Sequence, residues 1–114
     1  MSPGKFQLKK ARNGQFHFNL LASNGQVILS SEQYKARDSA LNGIESVRRN
    51  ALREGAFEVK ESGNGKHYFV LKASNGQVVG QSQQYASRAG AEQGCESVRR
   101  HAPEAVLTEE VSTP

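Results

Sequence analysis

Phe6 and Leu8 alternate with Lys5, Gln7 and Lys9, and Phe16, Phe18 and Leu20 alternate with His17 and Asn19. A period of two puts one side of a strand in a core and the other in water, so both segments predict half-buried strands. A third strand is expected over 26–30. The links between them carry Asn13-Gly14 and Asn24-Gly25, a dipeptide that tolerates the positive φ of a tight hairpin turn. Phe57 and Val59, Phe69 and Leu71, and a segment over 77–80 repeat the scheme around Asn64-Gly65 and Asn75-Gly76.

The period then changes. Ala40, Ile44, Val47 and Ala51 are spaced four, three and four apart, as are Ala91, Cys95, Val98 and Ala102. That spacing marks one face of a helix and predicts helices over 37–50 and 88–101. Ser87 is placed to cap the second helix; Ala36 holds that position in the first, where Asp38 compensates in part through the helix dipole. Gly43 and Gly94 fall on the inward faces. Each costs about 1 kcal/mol of helix propensity, and the expected return is a close approach of helix and sheet backbones.

These elements belong to an internal repeat. Residues 6–51 match residues 57–102 at a constant offset of 51, with 24 identities in 46 positions. Two copies argue for a paired unit with approximate two-fold symmetry, since a solenoid needs about three or more repeats. A unit of about 50 residues is close to the lower size limit for independent folding, so the copies are expected to share one core. The predicted fold is α+β: a tandem repeat of a three-stranded antiparallel meander plus helix, of β3-α-β type, assembled as one sheet with both helices on one face. Residues 1–110 form a single domain, with repeat one over 5–51, repeat two over 56–102, a candidate final strand over 104–110 and a frayed tail over 111–114.

The pattern Gly-Lys-Phe-x-Leu-Lys at 4–9, Asn-Gly-Gln-Phe-x-Phe-x-Leu at 13–20, Asn-Gly-Gln-Val at 24–27 and Asn-Gly-Ile-Glu-Ser-Val-Arg at 42–48 resembles the bacterial YegP-like family of small proteins. The resemblance spans both copies, roughly residues 4–103. It implies strands, helix and strand in tandem or in two subunits, joined in a single sheet with exchanged terminal strands. It brings no established activity, cofactor or catalytic residue.

Composition narrows the function classes. At 114 residues with 36% hydrophobic content, the chain has room for one thin core, not for a substrate domain plus a cofactor domain. The formal charge is +4, from 15 basic and 11 acidic residues. Three of the acids (Glu104, Glu109 and Glu110) follow Pro103, where no base occurs, so residues 1–102 carry 15 basic against 8 acidic residues, a net +7. That charge admits a polyanionic partner without requiring one. The single cysteine, Cys95, forms no internal disulfide and suits a reducing, cytoplasmic setting. Neither an apolar leader nor a membrane-length apolar window occurs in the sequence.

No catalytic, metal or cofactor site is expected. The histidines are not repeated between copies and lack metal-ligand spacing. His17 lies on the outer side of its strand, His67 takes the place of a core Phe, and His101 ends a helix. Cys95 replaces Ile44 and reads as a small buried hydrophobe. Gly63-Asn64-Gly65-Lys66 precedes a strand, not the helix a phosphate loop requires, and reads as a turn.

Two surfaces stand out as candidate binding surfaces. The repeated Glu-Ser-Val-Arg-Arg gives Glu45–Arg49 and Glu96–Arg100 as helical i,i+4 pairs. It also sets Arg48, Arg49, Arg99 and Arg100 on one basic surface if the helices lie side by side. The other surface is the sheet face away from the helices, carrying Lys5, Lys9, His17, Asn19 and Leu21 from copy one and Lys60, Tyr68, Val70 and Lys72 from copy two. These readings lead to a non-catalytic protein-binding or interaction module with an unidentified protein partner. The alternative is a nucleic-acid-binding protein using the basic helix or sheet surface. No membrane association is expected, and the internal duplication favours a monomer.

Overall fold

The computed structural model describes residues 4–110, so the expected tail over 111–114 lies outside the described residues. Three antiparallel neighbours come first: β1 (Lys5–Lys10), β2 (Phe16–Leu21) and β3 (Val27–Ser30). Helix α1 (Arg37–Asn50) follows, and the series repeats as β4 (Phe57–Glu61), β5 (His67–Lys72), β6 (Val78–Gln81) and α2 (Arg88–His101). A single 3-10 turn (Ala102–Glu104) then leads into β7 (Val106–Glu110). All seven strands form one sheet in the order β4-β5-β6-β3-β2-β1-β7. It is a mixed sheet, because β7 runs parallel to β1.

The turns use Asn and Gly in separate roles. Gly14, Gly25, Gly65 and Gly76 take φ between 82° and 86°, while no residue other than glycine has a positive φ among the described residues. Each Asn acts through its side chain instead: Asn13 Oδ1 accepts the Gln15 N–H and Asn24 Oδ1 accepts the Gln26 N–H, both at 3.0 Å. These are longer turns closed by an Asx contact, not two-residue hairpins.

Helix caps follow the sequence. Ser87 Oγ accepts the Gly90 N–H at 3.1 Å, whereas α1 starts at Ala36 with no side-chain cap. The reason for the inward glycines differs from the expectation. A Cβ on Gly43 would lie 2.5 Å from Tyr34 Oη and 3.0 Å from Phe18 Cε2, and one on Gly94 would lie 2.5 Å from Tyr85 Oη and 2.7 Å from Phe69 Cε2. The helices therefore close onto aromatic side chains rather than onto sheet backbone. Tyr34 stacks on Phe18 at 6.2 Å and Tyr85 on Phe69 at 6.2 Å, and each tyrosine bridges back to the start of the second strand of its half.

The buried apolar residues of both halves form one cluster, in which Phe6, Phe18, Leu20, Val47, Phe69, Leu71 and Val98 are fully covered. At the junction of halves only one pair, Ser30 with Gln81, joins β3 to β6. Beside it Leu29 packs on Gly80, where a Cβ would meet Leu29 Cδ2 at 2.7 Å. Residues 29 and 80 are repeat equivalents, so one leucine fills a space that two could not share.

Candidate binding groove at the open edge of the sheet

The two outer strands of the repeat, β1 and β4, are sequence equivalents with different neighbours. β7 pairs along the outer side of β1, from Lys5 with Val106 to Lys9 with Glu110. Among the described residues no strand pairs with the outer side of β4. The Lys72 N–H donates to the Ala56 carbonyl at 2.8 Å, so alternation along β4 turns the backbone groups of Phe57 and Val59 away from β5.

Side chains differ in the same way. In the first half, β7 closes the channel between β1 and α1: Phe6 is 0% and Leu8 1% exposed. Arg37, the first residue of α1, donates to Glu109 through Nε at 2.7 Å and Nη2 at 2.6 Å, a bidentate pair. That contact holds the Glu109 carboxyl below its usual range, chiefly by the hydrogen bond from Arg37. Arg48 lies over the Phe6 ring at 4.9 Å and donates to the carbonyls of Ala102 and Pro103 at 3.4 and 3.3 Å, on the segment that feeds β7.

In the second half the corresponding channel is an open groove of 610 Å³ lined by Phe57, Val59, Arg88, Glu92, Cys95 and Arg99 among others. Phe57 and Val59 are only half-buried. Arg88, the counterpart of Arg37, meets Glu92 at 3.6 Å. Arg99, the counterpart of Arg48, lies over the Phe57 ring at 5.1 Å and pairs with Glu96. Cys95 forms the inner wall, 6% exposed, and burial pushes its thiol up to about 11, so it stays protonated and unreactive at neutral pH.

The candidates read from the sequence divide accordingly. Arg48 and Arg99 are committed to Phe6 and Phe57, with Arg48 also tying the end of α1 to the end of α2, while Arg49 and Arg100 stay exposed. The arginine pairing also differs from the i,i+4 expectation: Glu45 meets Arg48 and Glu96 meets Arg99, both at i,i+3. On the sheet, Lys9 faces His17 across β1 and β2, and Lys60 faces Tyr68 across β4 and β5. Lys72 pairs with Glu58. Val70 is not an accessible contact: it is 4% exposed, flanked in register by Glu58 and Gln81.

The histidines are placed by the fold. His101 Nδ1 lies 2.8 Å from the Ser97 carbonyl, and Nε2 accepts the Ser23 N–H at 3.4 Å. The ring thus joins the last turn of α2 to the β2–β3 turn. His67 Nε2 lies 3.5 Å from Glu61. A second hollow of 390 Å³ lies along the β3–β6 seam, but its repeated Ser31 and Ser82 hydroxyls already accept the Phe18 and Phe69 N–H groups and donate to Glu32 and Gln83 carbonyls. Each hydroxyl's single proton is thereby spent, so neither has a donor left to direct at a ligand.

Sequence reasoning missed Phe57, Val59 and Arg88 as a site. The available signal was Arg37/Arg88, an identity of the repeat that sits where the flanking residues, Asp38 and Ala89, differ.

A seven-stranded α+β sheet built from two copies, with one outer strand covered and its twin bare, defines the class: a small tandem-repeat domain. Residues 11–58 and 62–109 each match the domain of unknown function DUF1508, and the chain belongs to that family. It is 69% identical over 106 residues to a UPF0339 protein of Pseudomonas aeruginosa, covering 93% of this chain and 96% of that one. It is 48% identical over 96 residues to the UPF0339 protein YegP of Escherichia coli, covering 84% and 87%. The solution NMR structure of Escherichia coli YegP, a protein of unknown function, superimposes with a TM-score of 0.92 at 40% identity, covering 100% of this chain and 98% of that one. A UPF0339 protein from Shewanella oneidensis gives 0.90 at 40% identity, covering 96% and 93%.

The family units end in β4 and in β7. Equivalent terminal strands are therefore placed differently: β4 lies against β5, whereas β1 occupies the matching place beside β2 and β7 is added outside it.

Proposed function

We propose that the chain is a non-catalytic, cytoplasmic protein-binding module that takes an extended segment of a partner as an eighth strand along the outer edge of β4. In this reading α1 and α2 cover the same face of the sheet. The register supports it: Phe18, Leu20, Leu29, Gly80, Leu71 and Phe69 are linked by pairing or alternation, and α1 closes on Phe18 and α2 on Phe69. The observation that carries the proposal is the bare edge of β4 beside a channel whose twin is filled by strand pairing. Strand addition uses backbone groups that an unpaired edge already exposes, with side-chain pockets supplying selectivity.

The test is selection of random displayed peptides on the intact protein, followed by amide-resolved NMR titration of those retained. Val59→Pro removes an outward N–H while leaving the ladder to β5, and β-sheet edges tolerate proline. Binders are expected to shift amides over 57–61 and α2, and to lose affinity about tenfold on Val59→Pro, one charge-free hydrogen bond plus its geometry. Binders that shift other surfaces, or that ignore Val59→Pro, overturn the reading. Binding of short oligonucleotides at low salt with shifts at Arg49 and Arg100 would favour a nucleic-acid partner instead.

A further inference from the structure

Resting on that reading, we infer that the β4–α2 groove selects a parallel strand carrying an apolar residue and, two residues later, a carboxylate. The chain supplies the template for this ligand itself, because β7 occupies the twin channel.

The register transfers directly. β7 sets Leu107 opposite Phe6 and Glu109 opposite Leu8, and Glu109 reaches Arg37. An offset of 51 converts these to Phe57, Val59 and Arg88. A ligand strand parallel to β4 therefore places its apolar residue beside Phe57 and its carboxylate beside Val59, within reach of Arg88. Residues two apart on a strand share a face, so both point into the groove and the residue between them points away. Thr108 does this in β7, its hydroxyl donating to the Phe6 carbonyl at 3.4 Å.

Arg99 extends the match, since Arg48, its twin, donates to the two carbonyls that precede β7. Arg88 is available for exchange: its contact with Glu92 is single and 3.6 Å long, and both side chains are more than half exposed, at 69% and 59%. An exposed helical pair of that kind contributes little, whereas the Arg37–Glu109 contact is bidentate. The channels differ mainly at Leu41, replaced by Glu92, and at Ile44, replaced by Cys95.

The probe is a synthetic peptide of residues 102–110, Ala-Pro-Glu-Ala-Val-Leu-Thr-Glu-Glu, titrated into the intact labelled protein. Amide shifts are expected at Phe57, Val59, Arg88 and Cys95. The peptide with Glu109→Gln should bind about tenfold more weakly, the scale of one charge-assisted hydrogen bond. Charge exchange provides the stricter check: Arg88→Glu should weaken the native peptide and regain affinity for the peptide bearing Glu109→Arg. Equal binding of native and Gln peptides overturns the carboxylate requirement. So does display selection that yields β4 binders with no acid at that place, a result that leaves strand addition standing. Shifts confined to β1 and α1 would show the peptide replacing β7, and self-association through β4 without peptide would make a second copy the occupant; either overturns the inference.

Discussion

β1 and β4 are repeat equivalents, aligned at Phe6 with Phe57 and Leu8 with Val59, yet among the described residues β1 is an interior strand and β4 is an edge. The difference comes from outside the repeat. Val106–Glu110 pairs with β1, where Phe6 and Leu8 are buried, while Phe57 and Val59 on the unpaired β4 are only half-buried. Burial here thus follows which neighbour arrives, together with the exchanges of Leu41 for Glu92 and Ile44 for Cys95 in the helix walls. Truncation measures this most directly. Phe6→Ala removes a fully buried ring and should cost about 3–5 kcal/mol in urea unfolding, while Phe57→Ala, at a half-open site, should cost about half as much. Equal losses would mean that β4 is covered in solution.

Inside the halves the symmetry should reappear. Gly43→Ala and Gly94→Ala each push a Cβ against a tyrosine hydroxyl and a phenylalanine ring, so both should destabilise by about 1–3 kcal/mol. Because the nearest atom is the hydroxyl in both, Tyr34→Phe should relieve the first substitution in part and Tyr85→Phe the second to a smaller extent, since Phe69 Cε2 stays 2.7 Å from the added Cβ. A loss at only one glycine, or no relief, would show that the aromatic clamp is not shared.

Much of this was legible because it is periodic or repeated. The 51-residue offset gave the duplication, alternation gave the strand faces, and the four-three-four spacing gave both helices. What escaped was set by pairing between distant segments. Nothing local says that β7 should lie parallel to β1, since Val106 and Lys5 are neighbours only through the sheet. Tyr34 and Tyr85 were visible as an identity, but their role depends on folding back over Gly43 and Gly94. The exchange of Leu29 for Gly80 reads as an ordinary substitution until the seam brings the two into contact. Arg48 looked like a surface cation and proved half-buried, because Phe6 and the carbonyls at 102–103 approach it from opposite ends of the chain.

Helix starts offer a smaller contrast that runs the other way, favouring the second half. Ser87→Ala should cost about 1 kcal/mol, and Ala36→Ser should return a similar amount to α1 by giving its first turn the acceptor it lacks. Thermal unfolding of the two single variants and the double variant checks this. If Ala36→Ser gains nothing, Asp38 already satisfies that end of α1.

The smallest effect concerns the pair that fastens the covered edge. Glu109 titrates below an ordinary glutamate because Arg37 donates to its carboxylate, with the charge of Arg37 adding to this against a desolvation cost. The sign follows from linkage: a carboxyl lowered in the folded state contributes its full share above the unfolded value and loses it as pH falls through the folded one. At neutral pH β7 is therefore held, and only under acidic conditions, below the usual carboxylate range, does protonation release Arg37. Both groups are solvent-exposed, so added salt should shrink the effect. Carbon-detected titration of the Glu109 carboxyl should give a midpoint below the usual glutamate range. Arg37→Ala should move it back to the ordinary range and increase amide exchange at Val106 and Thr108, with no change over β4. A Glu109 midpoint unmoved by Arg37→Ala would mean that the strand is fastened by its backbone alone, and that the arginine at the twin position, Arg88, has no carboxylate to select.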